Sequence, residues 1–106
     1  MLFLSKSKVK DVIPLSPEEI LELVVKTWET CISYEKQGKI VTGGGFVSND
    51  GCIEVWNVNS NEELYTLASQ IPMSLYCNNE FIPLVTHEQA LESAKQALAA
   101  LKASKK

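Results

Sequence analysis

The segment Asn57–Thr86 confines the chain more tightly than any other, because it fixes a short helix at both ends with extended chain on either side. Ser60 is an N-cap residue, and Glu63 three positions later completes a capping box that satisfies orphaned backbone N–H groups. Leu64, Leu67, Ala68 and Ile71 recur at helical spacing on one face, and Pro72 forbids continuation. A strand end precedes this short helix, and the residues leading to Thr86 read as a second strand.

The rest of the chain repeats the same grammar. Met1–Lys10 alternates weakly and reads as a first strand, with lysines on its solvated side. After the linker Asp11–Leu15, Ser16-Pro17-Glu18-Glu19 is a strong helix start, with Ser as cap and Pro at the first helical position. Ile20, Leu21, Val24, Trp28 and Ile32, with Leu23 and Cys31, form a broad apolar stripe, and Gly38 is the expected left-handed terminator. Lys39–Val47 reads as a strand containing Gly43-Gly44-Gly45, which allows a bulge, a bend or close approach of another backbone. A phosphate-cradling loop would need a helix right after the glycines, whereas Ser48-Asn49-Asp50-Gly51 is a hairpin turn signal. Cys52–Val58 is the return strand, with Ile53 and Val55 on one face and Cys52, Glu54, Trp56 and Val58 on the other. A third capping box, Thr86 to Gln89, opens a helix whose stripe of Leu91, Ala94, Leu98 and Leu101 runs into the tail Lys102–Lys106.

Strand, helix, strand, strand, helix, strand, helix is a βαββαβ unit with an extra C-terminal helix, the ferredoxin-like α+β arrangement in which an antiparallel sheet carries its two main helices on one face. All 106 residues are expected to form a single domain, with a helical extension over about 86–102. The uncovered sheet face should be polar, yet Trp56 and Val58, joined by Tyr76, Ile82 and Leu84, are assigned to it, mixed with Glu54 and Glu80. A patch of this kind marks an interface, so two sheets are expected to pack face to face in a homodimer. A net charge of −3 gives no reason to expect nucleic acid or anionic lipid as partner. No apolar run approaches a membrane span, and three widely spaced cysteines without a C-x-x-C pair suit free thiols in the cytoplasm.

The string S-N-E-E-L-Y-T-L, then Ile71-Pro72, Tyr76, and Pro83-Leu84 followed by His87, resembles the muconolactone delta-isomerase family. Met1-Leu2-Phe3, Pro17-Glu18-Glu19 and Gly38-Lys39 extend the similarity weakly along the chain. The resemblance implies a dimeric α+β barrel that assembles into decamers. It also implies a cofactor-free proton shift between two carbons of an unsaturated lactone. Leu4 stands where the family has a histidine, and Ile40–Gly45 replaces a Trp/His/Arg-rich segment. The chain contains no arginine, so a bidentate clamp on a substrate carboxylate is unavailable.

A proton shift needs a base poised near neutral pH and a group that holds the enolate oxygen. His87, the only histidine, is one candidate base, or else a first-turn residue beside the Thr86 cap. Glu54 and Glu80 are the others, expected to point the same way, either among aromatics with a raised pKa or solvated at a rim. Trp56 and Tyr76 are candidate substrate contacts or interface anchors, and Trp28 belongs to the core stripe. Neither a metal nor a cofactor site is expected from the cysteine spacing or the glycine run. Two functions remain open at this point: a small-molecule isomerase acting on an unsaturated lactone or related small acid, and a non-catalytic oligomeric ligand-binding or interaction module on the same scaffold.

Overall fold

The computed structural model describes residues 1–105; Lys106, the last of the tail lysines, lies outside the described residues. The elements follow the expected order: β1 Leu2–Val9, α1 Pro17–Lys36, β2 Ile40–Gly45, β3 Gly51–Asn57, α2 Asn61–Ser69, β4 Cys77–Leu84 and α3 His87–Ser104. The four strands form one antiparallel sheet in the order β2-β3-β1-β4, the ferredoxin-like topology. Between α2 and β4, Pro72–Tyr76 forms a short 3-10 turn, so Tyr76 precedes the strand instead of belonging to it.

The helix ends obey their caps. Ser16 and Glu19 form the reciprocal box that starts α1, and Thr86 and Gln89 do the same for α3. At α2 the box is modified: Ser60 Oγ accepts from Glu63 N at 3.1 Å, but the Glu63 carboxylate reaches past the cap to accept from Asn59 N at 3.2 Å and from Lys39 Nζ at 3.0 Å. The side chain thereby ties α2 to the start of β2. Gly38 ends α1 with φ of 74°, the left-handed geometry the sequence requires there. The bulge falls between Ile40 and Thr42, one turn of the pleat before the glycines.

The core lies between the sheet and the two main helices. Phe3, Cys31, Tyr34, Ile40, Trp56, Val58 and Leu64 are buried there together. Two expectations need correction. The buried stripe of α1 runs through Thr27, Cys31 and Tyr34, while Leu21 and Ile32 are exposed, because the sheet meets the helix about one position round from the side the hydrophobicity suggested. The second concerns the sheet. Trp56 and Val58, assigned to the uncovered face, are 1% and 2% exposed beneath the helices. Strand register places Leu2, Leu4, Ile53 and Val55 on the uncovered face in their stead, beside Ile82 and Leu84, which lie there as expected. The uncovered apolar face therefore exists, with a different membership.

α3 leaves this unit altogether. None of its described residues is buried, and Leu91, Leu98 and Leu101 are more than half exposed. The molecule measures 69 × 29 × 24 Å with a radius of gyration of 18.4 Å, against about 13 Å for a compact chain of this size.

Candidate functional site

The register of the sheet assembles the site. Across one row of the covered face lie Gly43 of β2, Glu54 of β3, Ser5 of β1 and Phe81 of β4, each directly opposite its neighbour. The preceding row carries Ile40, Trp56, Phe3 and Pro83, and the following one Gly45, Cys52, Ser7 and Asn79. α2 and the 3-10 turn arch over these rows without filling them, leaving a cavity of about 580 Å³ between sheet and helices. Its walls are mostly carbon, from residues such as Phe3, Trp56, Leu64, Ile71, Met73 and Phe81. Tyr65 and Leu75, 78% and 77% exposed, stand at its mouth.

Two buried hydroxyls face this space with their protons unspent. Ser5 Oγ accepts from Trp56 Nε1 at 2.8 Å, and Thr27 Oγ1 accepts from Met73 N at 3.0 Å. Each oxygen thus accepts from one protein N–H, which fixes it and leaves the O–H to donate elsewhere. Trp56 is itself held by Tyr34, whose ring lies 5.8 Å away at an angle of 55°, and the Tyr34 hydroxyl donates to Leu67 O at 2.8 Å. One chain of contacts from α2 through Tyr34 and Trp56 therefore sets the position of Ser5.

Glu54 is the ionisable centre of the site. Only 4% of it is exposed, and no protein donor satisfies its carboxylate among the described residues. Burial, with a smaller contribution from the nearby charge of Glu35, pushes its pKa up to about 7. Gly43 makes this placement possible, since a Cβ there would overlap Glu54 Oε2 and the backbone oxygen of Ile53. Behind the carboxyl a second cavity of about 350 Å³, bordered by Trp28, Glu35 and Gly43–Gly45, opens on its other side. A carboxyl that titrates near neutrality, without a fixed partner and beside an apolar cavity, can both take and return a proton.

The cysteines are chemically quieter. Burial is the main cause that raises Cys31 to about 12 and Cys52 to about 11, and it raises Cys77 as well, so all three are thiols at neutral pH. All three are free. Among the described residues no group of three His, Cys, Asp or Glu side chains is arranged to hold a metal ion.

The structure separates the residues that the sequence singled out. Glu54 and Trp56 line the cavity, Trp56 as part of its floor. Glu80 lies opposite Lys6, whereas Glu54 lies opposite Ser5, so the two carboxylates point to opposite faces of the sheet. The expectation that they share a face is corrected by that one-residue difference of register. His87 is the exposed first residue of α3, outside the cavity wall, and the half-buried Tyr76 closes the 3-10 turn without lining it. Ser5 and Thr27 escaped the sequence reading, and Gly43 was read there only as a place for a bulge, a bend or a close backbone, not as the partner of Glu54. The available signals were a serine at a covered position of a strand, a threonine within an apolar helical stripe, and a glycine whose strand partner is an acid.

A family model for muconolactone delta-isomerase matches residues 1–90. Sequence comparison with curated proteins finds no match. Among solved structures, muconolactone isomerase superposes with a TM-score of 0.73 at 24% identity, over 82% of this chain and 91% of that one. The dehydrochlorinase of 5-chloro-2-hydroxyhydroquinone from Burkholderia phenoliruptrix, solved with 2,5-dihydroxybenzoquinone, superposes with a TM-score of 0.58 at 17% identity, over 84% of this chain and 98% of that one. At these identities the two structures speak to the fold, while the family model spans most of the sequence. The chain belongs to the muconolactone delta-isomerase family.

Proposed function

We propose that this protein is a small-molecule isomerase that shifts a proton between two carbons of an unsaturated ring, a lactone or a related cyclic carbonyl compound, with Glu54 as the base. The carboxylate removes a proton from a carbon between the carbonyl and the alkene. The electron pair moves onto the carbonyl oxygen as a dienolate, and Ser5 and Thr27 donate hydrogen bonds to it. Glu54, now protonated, exchanges its acidic hydrogen with water and delivers a proton to the far end of the conjugated system. Electrons and protons balance within the substrate, so no oxidant or reductant is consumed. The observation that carries this reading is Glu54 itself, buried at the cavity with a pKa near 7 and no fixed partner. Family membership supports the reaction class, and the ring bound by the structurally similar dehydrochlorinase supports a small cyclic ligand.

A homodimer is part of the proposal. The helix-free sheet face leaves Ile53, Ile82 and Leu84 at 38%, 46% and 37% exposure, and a second sheet laid against it would remove this surface from water. The leucine stripe of α3 needs a neighbouring subunit for the same reason. Three free thiols suit a reducing cytoplasm. No described helix is long and apolar enough to cross a membrane.

The test is turnover of an unsaturated five-membered lactone in deuterium oxide, comparing wild type with Glu54→Gln. Wild type should interconvert the double-bond isomers and wash deuterium into the ring, and the variant should lose at least about a hundredfold in rate. Equal rates in the two proteins would exclude Glu54 as the base. Ligand-induced stabilisation without any turnover in wild type would favour the non-catalytic binding module.

A further inference from the structure

The charge pattern around the cavity says which rings it admits. Its lining contains one carboxyl, Glu54, and no lysine or histidine. Of the cations outside the lining, Lys39 pairs with Glu63 at 3.0 Å, and Lys10 stands at the mouth, donating to Leu75 O at 3.3 Å. Lys6 and Lys8 project to the other face of the sheet, and the sequence contains no arginine. The remaining polar atoms in the walls belong to uncharged side chains such as Ser5, Thr27 and Asn79. A ligand carboxylate seated beside Glu54 would lose its water, find no cation in the lining and face a like charge. A neutral ring carrying only a carbonyl loses little on entry and finds two hydroxyl donors.

We infer that the site takes an uncharged unsaturated ring and rejects the same ring when it bears a carboxylate. The inference rests on the cavity being the substrate site, and it departs from the related small acid that the sequence also allowed. The groups facing Glu54 are Ser5 from β1, Cys31 and Glu35 from α1 and Cys52 on its own strand, with Cys77 and Tyr65 elsewhere in the lining. The only further charge in that set is another carboxylate. Discrimination should therefore grow as Glu54 ionises.

A matched pair of butenolides tests this, one carrying a methyl group on the ring and the other a carboxymethyl group at the same carbon. Calorimetric affinity and kcat/KM are measured for both between pH 6 and pH 8.5, in wild type and in Tyr65→Arg. The substitution adds a second cation at the mouth, beyond Lys10, on a side chain that is already solvated. The neutral ring should be preferred by about tenfold or more at pH 8. The gap should narrow toward pH 6 in wild type, and at pH 8 in Tyr65→Arg. Equal or better binding of the acid in wild type would overturn the inference even if both rings are isomerised. A gap unchanged in Tyr65→Arg would assign it to shape and overturn it too. Failure of both rings to bind would remove the inference and the proposed substrate site together. Selective binding of the neutral ring without turnover would uphold charge selection while removing the proton shift.

Discussion

Ile53 and Glu54 are adjacent on β3, yet they occupy opposite solvents. Ile53 is 38% exposed to water on the bare face, and Glu54 is 4% exposed beneath the helices. On the bare face an apolar surface lacks a covering, and on the covered face an acid lacks a counter-charge. Each arrangement is unfavourable for an isolated subunit, and each suits the proposed function in a way that a polar outside and an apolar inside would not. In the proposed function the bare face recruits a second sheet, and the covered face moves a proton. Alternation along the strand keeps the two tasks within one residue of each other and still separate.

Substitutions should respect that separation. The largest effect is expected from Glu54→Gln, which should lower proton-shift turnover by roughly 10²–10⁴-fold and leave the oligomeric state unchanged by sizing chromatography. The same variant should be more stable than wild type at high pH. A carboxyl whose folded pKa of about 7 lies above its ordinary value of 4.5 penalises the fold when ionised. The penalty is absent below pH 4.5, grows as pH rises and is complete above pH 7, reaching up to ~3 kcal/mol. Denaturant titrations at pH 5.5 and pH 8 should show wild type losing stability with rising pH and Glu54→Gln losing less.

On the other face, Ile82→Lys should dissociate the proposed dimer, weakening association by ~2 kcal/mol or more, with the titration of Glu54 retained. A smaller effect is expected at the boundary between the faces. Gly43→Ala must displace the Glu54 carboxylate and press on the Ile53 carbonyl, and should cost ~1–3 kcal/mol by chemical denaturation while reducing turnover. Glu35→Gln removes the lesser of the two causes that raise Glu54, so the midpoint of the pH–rate profile should fall by about one unit or less. The smallest effect belongs to Lys39→Met, since the Lys39–Glu63 pair is partly solvated and should contribute no more than ~1 kcal/mol to thermal stability.

The sequence spelled out the elements well because their ends are local chemistry. Ser16, Ser60, Thr86, Pro72 and Gly38 act on the few residues around them, and the structure uses all five as expected, save that Glu63 divides its carboxylate between Asn59 and Lys39. The alternation of β3 was also legible, and it grouped Glu54 with Trp56 correctly. What alternation cannot convey is which side the helices cover, or how one strand is set against the next. Glu54 and Glu80 appear equivalent until register pairs one with Ser5 and the other with Lys6. Ser5 and Thr27 were invisible for the same reason. Their significance comes from Trp56 and Met73, which lie 51 and 46 residues away in the chain.

The central claim is that one strand carries a carboxyl poised to exchange its proton near neutrality. The direct measurement is the side-chain carboxyl ¹³C shift of Glu54 as a function of pH, assigned by its disappearance in Glu54→Gln. A midpoint near 7 is the expected result. A midpoint near 4.5, as for a solvated glutamate, would contradict the claim, because the site would then not hold the proton of Glu54 near neutrality.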